Sequence, residues 1–503
     1  MTGRLTWPGR FDTFLGRTTM YRLVFVLLVV LSVYAFVLSA FGQLAFAPGE
    51  LAASLAAAVV GSWGGTRVMA LMLRKRPHTE SSLITGLILF FVMFPSGGPA
   101  TLGGIALAGL AAAASKYLVA VRGRHIFNPA AFGAVVATLL GLNAAAWWAA
   151  NPAMLPLVLL CTVLLLYRTR KVAMGAVFLG VAAAILVVRL VAGGTDAVSA
   201  LRLVFESYPL LFLLGFMLTE PLTLPPRRRQ QLLVAAVVAV VLALQINIPP
   251  VFLGPEYALL IGNALAFALG QRRGVRLRFL RTRRLTPTSA EVVFAAEAPV
   301  RFEPGQYMEL TLPHERADGR GLRRIFSISS PPDDDEIRFG LRLSDPPSTF
   351  KGALLGLRPG ARVEATTVAG DFVLPKDPSV PLLLFAGGIG VTPFISHLRS
   401  AAGRKHDAVL VYVVTSAAEL AYVDELADST VVLFCPGDPG PLPQTWTLGG
   451  SGFPTADDLR TLVPDLRERR VYLSGSPRTL ALAKPVLREA GGKSIRTDAF
   501  LGY

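Results

Sequence analysis

The sequence predicts a bundle of membrane helices, followed by a small β-barrel and a doubly wound α/β domain. The chain has 503 residues, which is too long for one compact core. Hydrophobic residues make up 53% of it and charged residues only 16%, a balance typical of chains with many lipid-buried segments. After Arg273 the long apolar runs give way to short alternating segments. We therefore expect a membrane domain over residues 1–270, a barrel over 271–376 and an α/β domain over 377–503.

About ten apolar stretches fill the first domain. They lie at residues 21–41, 50–72, 82–95, 100–120, 129–149, 153–167, 172–192, 208–224, 230–246 and 255–270. Several are shorter than the roughly 20 residues that a helix needs to cross the hydrocarbon core. We expect breaks at Phe94-Pro95 and around Thr219-Glu220-Pro221, and broken helices at membrane depth usually line a site.

Basic residues are distributed unevenly between the loops. Arginine or lysine occurs near residues 74–76, 122–124, 168–171, 227–229 and 272–273, whereas the alternate loops at 42–49, 95–99, 150–152 and 247–254 have none. The positive-inside rule then predicts a multi-pass protein of the inner or plasma membrane with both termini in the cytoplasm. Arg202 is the exception, because it lies in a loop expected near residues 193–207 on the outer side of the membrane.

The net charge of +16 would suggest nucleic acid as the partner of a soluble protein. Because the basic residues lie in the loops of a membrane domain, we expect anionic membrane lipid as the partner instead, and no nucleic acid. Cys161 and Cys435 match no metal or cluster spacing, and no apolar stretch has a pair of histidines for haem. We therefore expect no metal.

The segment after residue 273 alternates like strands at residues 276–279, 291–294 and 337–343. These runs predict the antiparallel barrel. From Val380 an apolar strand, a glycine-rich turn and a helix follow one another, which predicts the α/β domain.

The sharpest motif is Arg324-Ile325-Phe326-Ser327. At the end of a strand, an arginine can pair with a pyrophosphate and an aromatic ring can stack on an isoalloxazine. A hydroxyl there can form a hydrogen bond with the reactive edge of the isoalloxazine. The motif resembles the Arg-x-(Tyr/Phe)-Ser signature of the ferredoxin:NADP reductase superfamily, and Pro304-Gly305-Gln306-Tyr307 resembles the turn that precedes it. The resemblance implies FAD, with Arg324 at its phosphate, Phe326 beside the ring system and Ser327 near the nitrogen that accepts hydride.

A phosphate-binding helix start in that superfamily corresponds here to Ser348 and Thr349, although the glycine expected before them is missing. Glycines between a strand and a helix let the backbone approach a pyrophosphate. The segment Gly387-Gly388-Ile389-Gly390-Val391-Thr392-Pro393 fits that role for NADH or NADPH, and the residues after the next strand do not distinguish the two.

The carboxy-terminal part completes the resemblance. Ser474-Gly475-Ser476-Pro477 is similar to the turn at the nicotinamide site, with Ser474 where cysteine is frequent. Hydride transfer depends more on alignment than on an acid or base, so serine is compatible with activity. Phe500 and, as the alternative, Tyr503 resemble the aromatic tail that covers the flavin, unless these rings only close the core.

The first domain resembles the NqrB/RnfD family, the membrane proteins of the sodium-translocating NADH:quinone reductase and of the Rnf complex. The residues that carry the resemblance are Thr85-Gly86, the run His125-Ile-Phe127-Asn128-Pro129 and Leu218-Thr219-Glu220-Pro221. It implies two inverted five-helix repeats and a flavin, FMN or riboflavin, near the middle of the membrane. The candidate residues are Thr85, Asn128, Arg202, Thr219 and Glu220, and helix capping or interhelical bonding is the alternative role.

One departure from that family concerns covalent flavin. Its Asp-Gly-x-Ser-Gly-Ala-Thr motif corresponds here to Asp196-Ala-Val-Ser199-Ala-Leu-Arg202. Since arginine replaces the threonine that bears FMN, we expect no covalent flavin. Arg202 is then a candidate for holding a noncovalent flavin phosphate or an acidic partner.

These features predict a transmembrane flavin oxidoreductase. In this hypothesis, NAD(P)H reduces FAD in the cytoplasm, and electrons pass through a membrane flavin to an extracytoplasmic acceptor, a flavoprotein or another redox protein. Two alternatives stay open: an NAD(P)H:quinone reductase with its chemistry on the inner side, and a flavin or small-solute transporter with a regulatory reductase domain. Coupled ion pumping would need an intramembrane carboxylate to carry the ion, and Glu220 is the only candidate that the sequence offers.

Overall fold

The computed structural model describes residues 19–74, 77, 79–121, 124–248, 251–271, 274–315 and 322–500. Two compact units divide the chain: the first comprises Met20–Arg272, and the second begins at Arg273. The first unit is mainly helical, whereas the second contains two six-stranded sheets and the helices that accompany them.

The first unit contains a series of helices, and all of those described here except α8 correspond to predicted apolar stretches. They are α1 (Met20–Ala40), α2 (Pro48–Met72), α3 (Thr79–Val92), α4 (Pro99–Leu118), α5 (Pro129–Leu139), α6 (Leu155–Thr169), α7 (Val172–Ala192), α8 (Ala197–Glu206), α9 (Leu210–Leu218), α10 (Arg228–Leu244) and α11 (Pro255–Ala266). Within the described residues, α1, α2, α4 and α7 are long and apolar enough to cross a membrane, and the bent pair α8–α9 would make a fifth crossing. Ten crossings therefore remain a prediction.

Two local predictions for this unit are wrong. The loop expected at residues 193–207 contains α8, because the carboxylate of Asp196 caps this helix by accepting hydrogen bonds from the N–H groups of Val198 and Ser199 (3.1 and 3.0 Å). The helix expected over residues 129–149 already ends at Leu139. Gly141 follows with a φ of +67°, a conformation that glycine adopts without strain.

Both predicted helix breaks are confirmed. The first follows α3, where the side chain of Asn143 accepts a hydrogen bond from the N–H of Phe94 (3.2 Å) and donates one to its carbonyl (3.1 Å). The second follows α9, whose last six residues form a π-helix. Backbone groups released by a break at membrane depth need partners within the protein, and Asn143 supplies them at the first break.

The first sheet of the second unit is antiparallel. Its strands are β1 (Val275–Thr286), β2 (Ser289–Ala296), β3 (Tyr307–Thr311), β4 (Arg323–Ser327), β5 (Glu336–Arg342) and β6 (Arg362–Ala369), with α12 (Thr349–Leu355) before β6. The spatial order is β4-β3-β6-β1-β2-β5. An isolated antiparallel bridge between Ile328 and Phe339 links the segments at the two edges of this sheet, and full closure into a barrel stays a prediction.

The second sheet is parallel throughout, in the order β10-β9-β8-β7-β11-β12. Its elements are β7 (Leu382–Gly387), α13 (Thr392–Arg399), β8 (Ala408–Val413), β9 (Thr430–Phe434), β10 (Trp446–Gly450), α14 (Ala456–Leu462), β11 (Arg470–Gly475), α15 (Pro477–Glu489) and β12 (Arg496–Ala499). Leu382 and Leu384 enter one core cluster, whereas Leu383 and Phe385 enter another. The sheet is thus buried on both faces, as a doubly wound domain requires.

His397 connects the two sheets through a buried hydrogen bond. It lies in α13, and its Nε2 is 2.9 Å from the carbonyl of Phe372 and 3.1 Å from that of Pro304. Its Nδ1 is buried and has no hydrogen-bond partner among the described residues. Burial lowers the pKa of His397 to about 4, so the neutral imidazole donates from Nε2.

We expect acid to destabilise the second unit through His397. The folded pKa of about 4 lies below the ordinary value near 6.5, so the unfolded chain binds the proton more readily. The stabilisation is complete above pH 6.5, and up to about 3 kcal/mol is lost as the pH falls toward the folded pKa. Denaturant unfolding of the full chain at several pH values measures this loss.

Two variants distinguish the contribution of His397 from that of the other groups that titrate in acid. His397→Gln removes the titrating ring and should flatten the pH dependence in this window, whereas His406→Gln, at a half-buried histidine, should leave it unchanged. An unaltered pH dependence in His397→Gln would show that the destabilisation has another source.

Candidate active site

The predicted flavin motif lies at the end of β4, beside β3. The strand register places Tyr307 opposite Ser327 and Met308 opposite Phe326. Arg324 is buried, and its guanidinium carbon lies 5.1 Å from the centre of the Phe350 ring. Ile325 is exposed, as strand alternation from Arg324 requires. Successive side chains of the motif thus lie on opposite faces of the sheet.

The aromatic member of the motif packs inside the sheet. The ring of Phe326 lies 6.2 Å from that of Phe339 and 6.1 Å from that of Phe350, centre to centre, and it belongs to the core cluster of the first sheet. The structure therefore places Phe326 in a hydrophobic core, and its predicted position beside a flavin ring stays a prediction.

The two hydroxyls predicted to contact phosphate lie at the start of α12. Ser348 caps this helix by accepting a hydrogen bond from the N–H of Lys351 (3.4 Å). The hydroxyl of Thr349 is 3.1 Å from Nε2 of His314. Both hydroxyls therefore have partners within the protein, and a phosphate at this position would have to share them.

The glycine-rich turn after β7 packs against the turn after β11. A Cβ on Gly390 would lie 2.6 Å from the Cα of Gly475 and from the carbonyl oxygen of Ser474, so only glycine permits this approach. A Cβ on Gly387 would lie 2.4 Å from the side chain of Thr479, so a larger residue there would have to displace that side chain. Gly388, with a φ of +54°, has open space where a side chain would be, which leaves its backbone accessible to a ligand.

The helices that follow the two turns begin at predicted site residues. Thr392 and Pro393 start α13, and the hydroxyl of Thr392 donates to the carbonyl of Ile389 (2.6 Å). Pro477 starts α15, which Ser476 caps by accepting from the N–H of Thr479 (3.1 Å). These residues fix the geometry of the turns.

Sheet register brings three polar groups together at the carboxyl end of β11. Ser474 is opposite Ala386 of β7 on one side and Asp498 of β12 on the other. The carboxylate of Asp498 accepts a hydrogen bond from the hydroxyl of Ser327 (3.1 Å). Ser474 is fully buried, and its hydroxyl has no hydrogen-bond partner among the described residues.

The chain end reaches the same place. The N–H of Phe500 donates to the carbonyl of Gly475 (2.9 Å), so the structure brings Ser327, Ser474 and Phe500 together. Tyr503, the alternative aromatic, lies outside the described residues. The sequence gives no signal for Asp498, because its contact with Ser327 depends on the register of β12.

These observations meet the requirements of a flavin and a pyridine nucleotide. Three features converge on the carboxyl edge of the parallel sheet. They are a buried serine hydroxyl that no described residue bonds, an open backbone surface at Gly388 and a hydroxyl–carboxylate pair at the end of β4. That edge is where ligands bind in open α/β sheets. The arrangement suits hydride transfer, which needs two ligands held in alignment.

A buried polar network holds the two sheets in register near this edge. Glu291 of β2, which is 2% exposed, accepts hydrogen bonds from the hydroxyls of Ser329 and Tyr422 (both 3.0 Å). Its other oxygen lies 3.1 Å from the guanidinium of Arg283. Burial raises the pKa of the Tyr422 hydroxyl well above its ordinary value, so it remains a donor. Sequence reasoning missed this network because its members are far apart in the chain.

A second polar cluster lies at the break after α9 in the first unit. One oxygen of the Glu220 carboxylate is 2.8 Å from Nε2 of His125, and the other accepts from the side-chain amide of Asn128 (2.8 Å). The N–H of Asn128 donates to the side chain of Asn263 (2.8 Å). The sequence singled out Asn128 and Glu220, and the structure places them in direct contact.

The other candidates of this unit lie around that cluster or apart from it. Lys116 donates to the hydroxyl of Thr85 (2.8 Å). Thr219 donates to the carbonyl of Gly215 at the carboxyl end of its own helix (2.8 Å). Of the two alternative roles left open above, this bond fits capping and not interhelical bonding. Arg202 is exposed and forms an ion pair with Glu206 (2.8 Å) on α8.

That Glu220 is the one intramembrane carboxylate stays a prediction, but a different carboxylate of this unit is buried. Glu256, in the first turn of α11, accepts a hydrogen bond from the indole N–H of Trp147 (2.8 Å). It lies within the apolar stretch predicted at residues 255–270, and α11 begins there at Pro255, because proline suits the first position of a helix.

No protein-family model matches the chain. An NADPH oxidoreductase from Mycobacterium tuberculosis is 32% identical over 236 residues, which are 45% of this chain and 60% of that protein. The reductase subunit of an aromatic O-demethylase from an Amycolatopsis species is 34% identical over 144 residues, 27% of this chain and 42% of that protein. The chain thus spans about half the length of the curated relatives it matches.

Solved structures of similar proteins include the cytochrome P450 reductase GcoB from Amycolatopsis, which is 27% identical at a TM-score of 0.39 and covers 45% of this chain and 70% of that one. A ferredoxin NADP+ reductase from Neisseria gonorrhoeae is 18% identical at a TM-score of 0.38, with coverage of 45% and 98%. At these TM-scores the superpositions add nothing to the sequence matches.

The comparisons support a ferredoxin-reductase-type module for FAD and NAD(P) in this chain. These relatives support the prediction of an NAD(P)H-dependent, FAD-containing oxidoreductase module, with FAD and a pyridine nucleotide as its cofactors. The resemblance of the first unit to the membrane proteins of the quinone reductase and the Rnf complex stays a prediction.

We expect Ser327 and Asp498 to act as a pair in flavin reduction. Ser327→Ala removes the hydroxyl and Asp498→Asn removes the charge that holds it, so each should slow hydride transfer about 100-fold, the effect of misplacing a reacting group. Anaerobic stopped-flow loss of flavin absorbance with NADH or NADPH measures this rate. The exposed Ser344→Ala is the matched control and should keep the wild-type rate.

The two substitutions combined distinguish a pair from independent residues. The double variant should be no slower than the slower single variant, because either change already breaks the same hydrogen bond. Multiplied effects in the double variant, or a normal rate in Ser327→Ala, would contradict this role.

Proposed function

We propose that the protein transfers electrons from cytoplasmic NAD(P)H to an acceptor on the other side of a membrane. The observation that carries this proposal is the Glu220–His125–Asn128 cluster at a broken helix, in a chain that also carries a reductase module. Buried ionisable groups inside membrane units usually mark a functional site. Fusion to the reductase keeps the electron donor at a high effective concentration beside that site.

In this proposal the chain comprises a membrane domain at 1–270, a flavin domain at 271–376 and a nucleotide domain at 377–503. Bound FAD would supply the chemistry of accepting hydride from NAD(P)H and passing electrons onward. Arg324, Ser348 and Thr349 hold its phosphates. Ser327 and Asp498 hold the edge of its ring, Phe500 covers it, and Tyr307, Ile325 and Phe326 line its site.

The nucleotide is held by the residues of the two packed turns. The backbone of Gly387, Gly388 and Gly390 and the start of α13 at Thr392 and Pro393 bind its pyrophosphate, where the helix dipole favours negative charge. Gly475, Ser476 and Pro477 bound the nicotinamide position, and the unpartnered hydroxyl of Ser474 donates to a polar atom there.

In the membrane domain the proposed ligand is a noncovalent FMN or riboflavin. The carboxylate of Glu220 is 21% exposed while both of its oxygens are bonded, so an N–H donor of a ligand ring could reach it. Thr85, Asn128 and Thr219 lie on the segments that form or flank this cluster. Arg202, exposed on α8, is proposed to contact a flavin phosphate or an acidic partner.

The acceptor outside the membrane is proposed to be a redox protein, in particular a flavoprotein. Relatives of the reductase module are named as reductase components, such as that of the aromatic O-demethylase, which supports electron delivery to a partner protein. Both termini are proposed to lie in the cytoplasm, and anionic lipid surrounds the basic loops. A quinone reductase acting on the inner side and a transporter with a regulatory reductase are the alternatives.

Glu220→Gln tests the membrane site. The amide keeps the shape but loses the charge that strengthens the bonds to His125 and Asn128, so we expect flavin binding in the first unit to weaken about tenfold to a hundredfold. FAD content and NAD(P)H-driven reduction of a soluble dye should stay normal. Flavins released by acid from the purified full chain are identified and quantified by chromatography.

Glu50→Gln is the matched control, since that carboxylate only caps α2 at the N–H of Ala47 (2.9 Å). It should retain both flavins. If wild-type protein contains FAD alone, or if Glu220→Gln keeps a full second flavin, the proposed membrane site is wrong, whereas the reductase assignment still stands.

A further inference from the structure

Strand β1 carries five arginines, and only some of them have partners. Arg281 pairs with Glu336 (2.6 Å), Arg283 pairs with Glu291 (3.1 Å), and Arg284 donates to the carbonyl of Thr286 (3.0 Å). The first two arginines, Arg276 and Arg278, are exposed. Among the described residues neither side chain has a hydrogen-bond or ion-pair partner. Within β1, the arginines whose side chains have no hydrogen-bond or ion-pair partner among the described residues are therefore the two at the start of the strand.

The neighbouring strand adds positive charge to the same place. Arg362 of β6 lies directly opposite Arg278 in the register, and like charges in such a pair repel each other. Arg358 is exposed in the turn before β6, and this turn is held against β1 by the hydrogen bond from the N–H of Gly360 to the carbonyl of Phe279 (2.8 Å). We call Arg276, Arg278, Arg358 and Arg362 the β1–β6 basic patch.

The acidic residues near the patch do not neutralise it. Glu297 pairs with Arg362 (2.8 Å), yet the Arg362 side chain remains 80% exposed. Glu364 lies opposite Arg276 but forms no ion pair with it in the described part of the chain. Basic and acidic residues are nearly balanced over residues 274–500 as a whole, so the patch is a local excess and does not reflect a generally basic unit.

The position of the patch in the chain indicates its partner. Gln271 ends the last helical segment of the first unit, and Arg278 follows seven residues later, a contour of at most about 25 Å. A tethered patch of this charge therefore stays within reach of the lipid headgroups around the first unit. Anionic headgroups attract each nearby arginine at the membrane surface.

We propose that the β1–β6 basic patch docks on anionic phospholipid headgroups and so holds the second unit in one orientation at the membrane. The inference requires that the first unit spans a membrane, and it is independent of where the electrons go. Loss of two arginines should weaken docking about tenfold to thirtyfold. High salt should weaken it as well, because the contact is exposed.

The test uses the full chain in lipid nanodiscs. A fluorophore is attached at Pro359→Cys, an exposed position beside Arg358, and native Cys161 and Cys435 are buried and should not label. Nitroxide on the lipid headgroups quenches the fluorophore when the patch docks. Discs of phosphatidylcholine alone are compared with discs that contain about 30% phosphatidylglycerol, at low salt and at about 0.5 M salt.

We expect strong quenching only with phosphatidylglycerol at low salt. Arg276→Gln with Arg278→Gln should weaken docking by about tenfold to thirtyfold and reduce the quenching accordingly, whereas Arg404→Gln with Arg488→Gln, which removes the same charge at exposed sites elsewhere, should leave it unchanged. Equal quenching in both lipids, undiminished quenching in the Arg276 and Arg278 variant, or an equal loss in both pairs of variants would overturn the proposal. Dye reduction by NAD(P)H serves as the folding control and should be normal in all variants.

Discussion

The guanidinium of Arg124 donates hydrogen bonds to three backbone carbonyls, those of Leu222 (2.5 Å), Pro221 (2.8 Å) and Leu224 (3.1 Å). These carbonyls follow the break after α9, where no continuous helix supplies them with partners. An unpaired carbonyl in a buried, low-dielectric environment is costly, so the break depends on Arg124. Because Glu220 lies in the same segment and His125 follows Arg124, this contact also determines where the polar cluster forms.

The second unit positions its polar groups by strand register. Parallel pairing of β7, β11 and β12 places Ser474 beside Asp498, while the antiparallel first sheet presents Ser327 at the end of β4. The bond between Ser327 and Asp498 therefore crosses from one sheet to the other. His397 and the network around Glu291 lock the same interface, so the alignment that hydride transfer needs is built into rigid elements.

The sequence predicts much of this arrangement. Hydrophobic runs predict the helices, and the glycines between strand and helix predict the turns. Phe94-Pro95 and Thr219-Glu220-Pro221 predict the breaks. The roles of Asp498, Tyr422 and Arg124 could not be predicted from the sequence, since each depends on a partner that is distant in the chain and close only after folding. The helix at 197–206 is hard to predict because Asp196, the residue that caps it, also matches the first position of a flavin-attachment motif.

Sealed vesicles test whether electrons cross the membrane through this protein. The full chain is reconstituted with NAD(P)H supplied only on the side of the second unit, and with a membrane-impermeant oxidant trapped on the opposite side. We expect the trapped oxidant to be reduced in step with NAD(P)H oxidation. Oxidation of NAD(P)H that proceeds only when the oxidant is added on the same side would contradict transmembrane transfer.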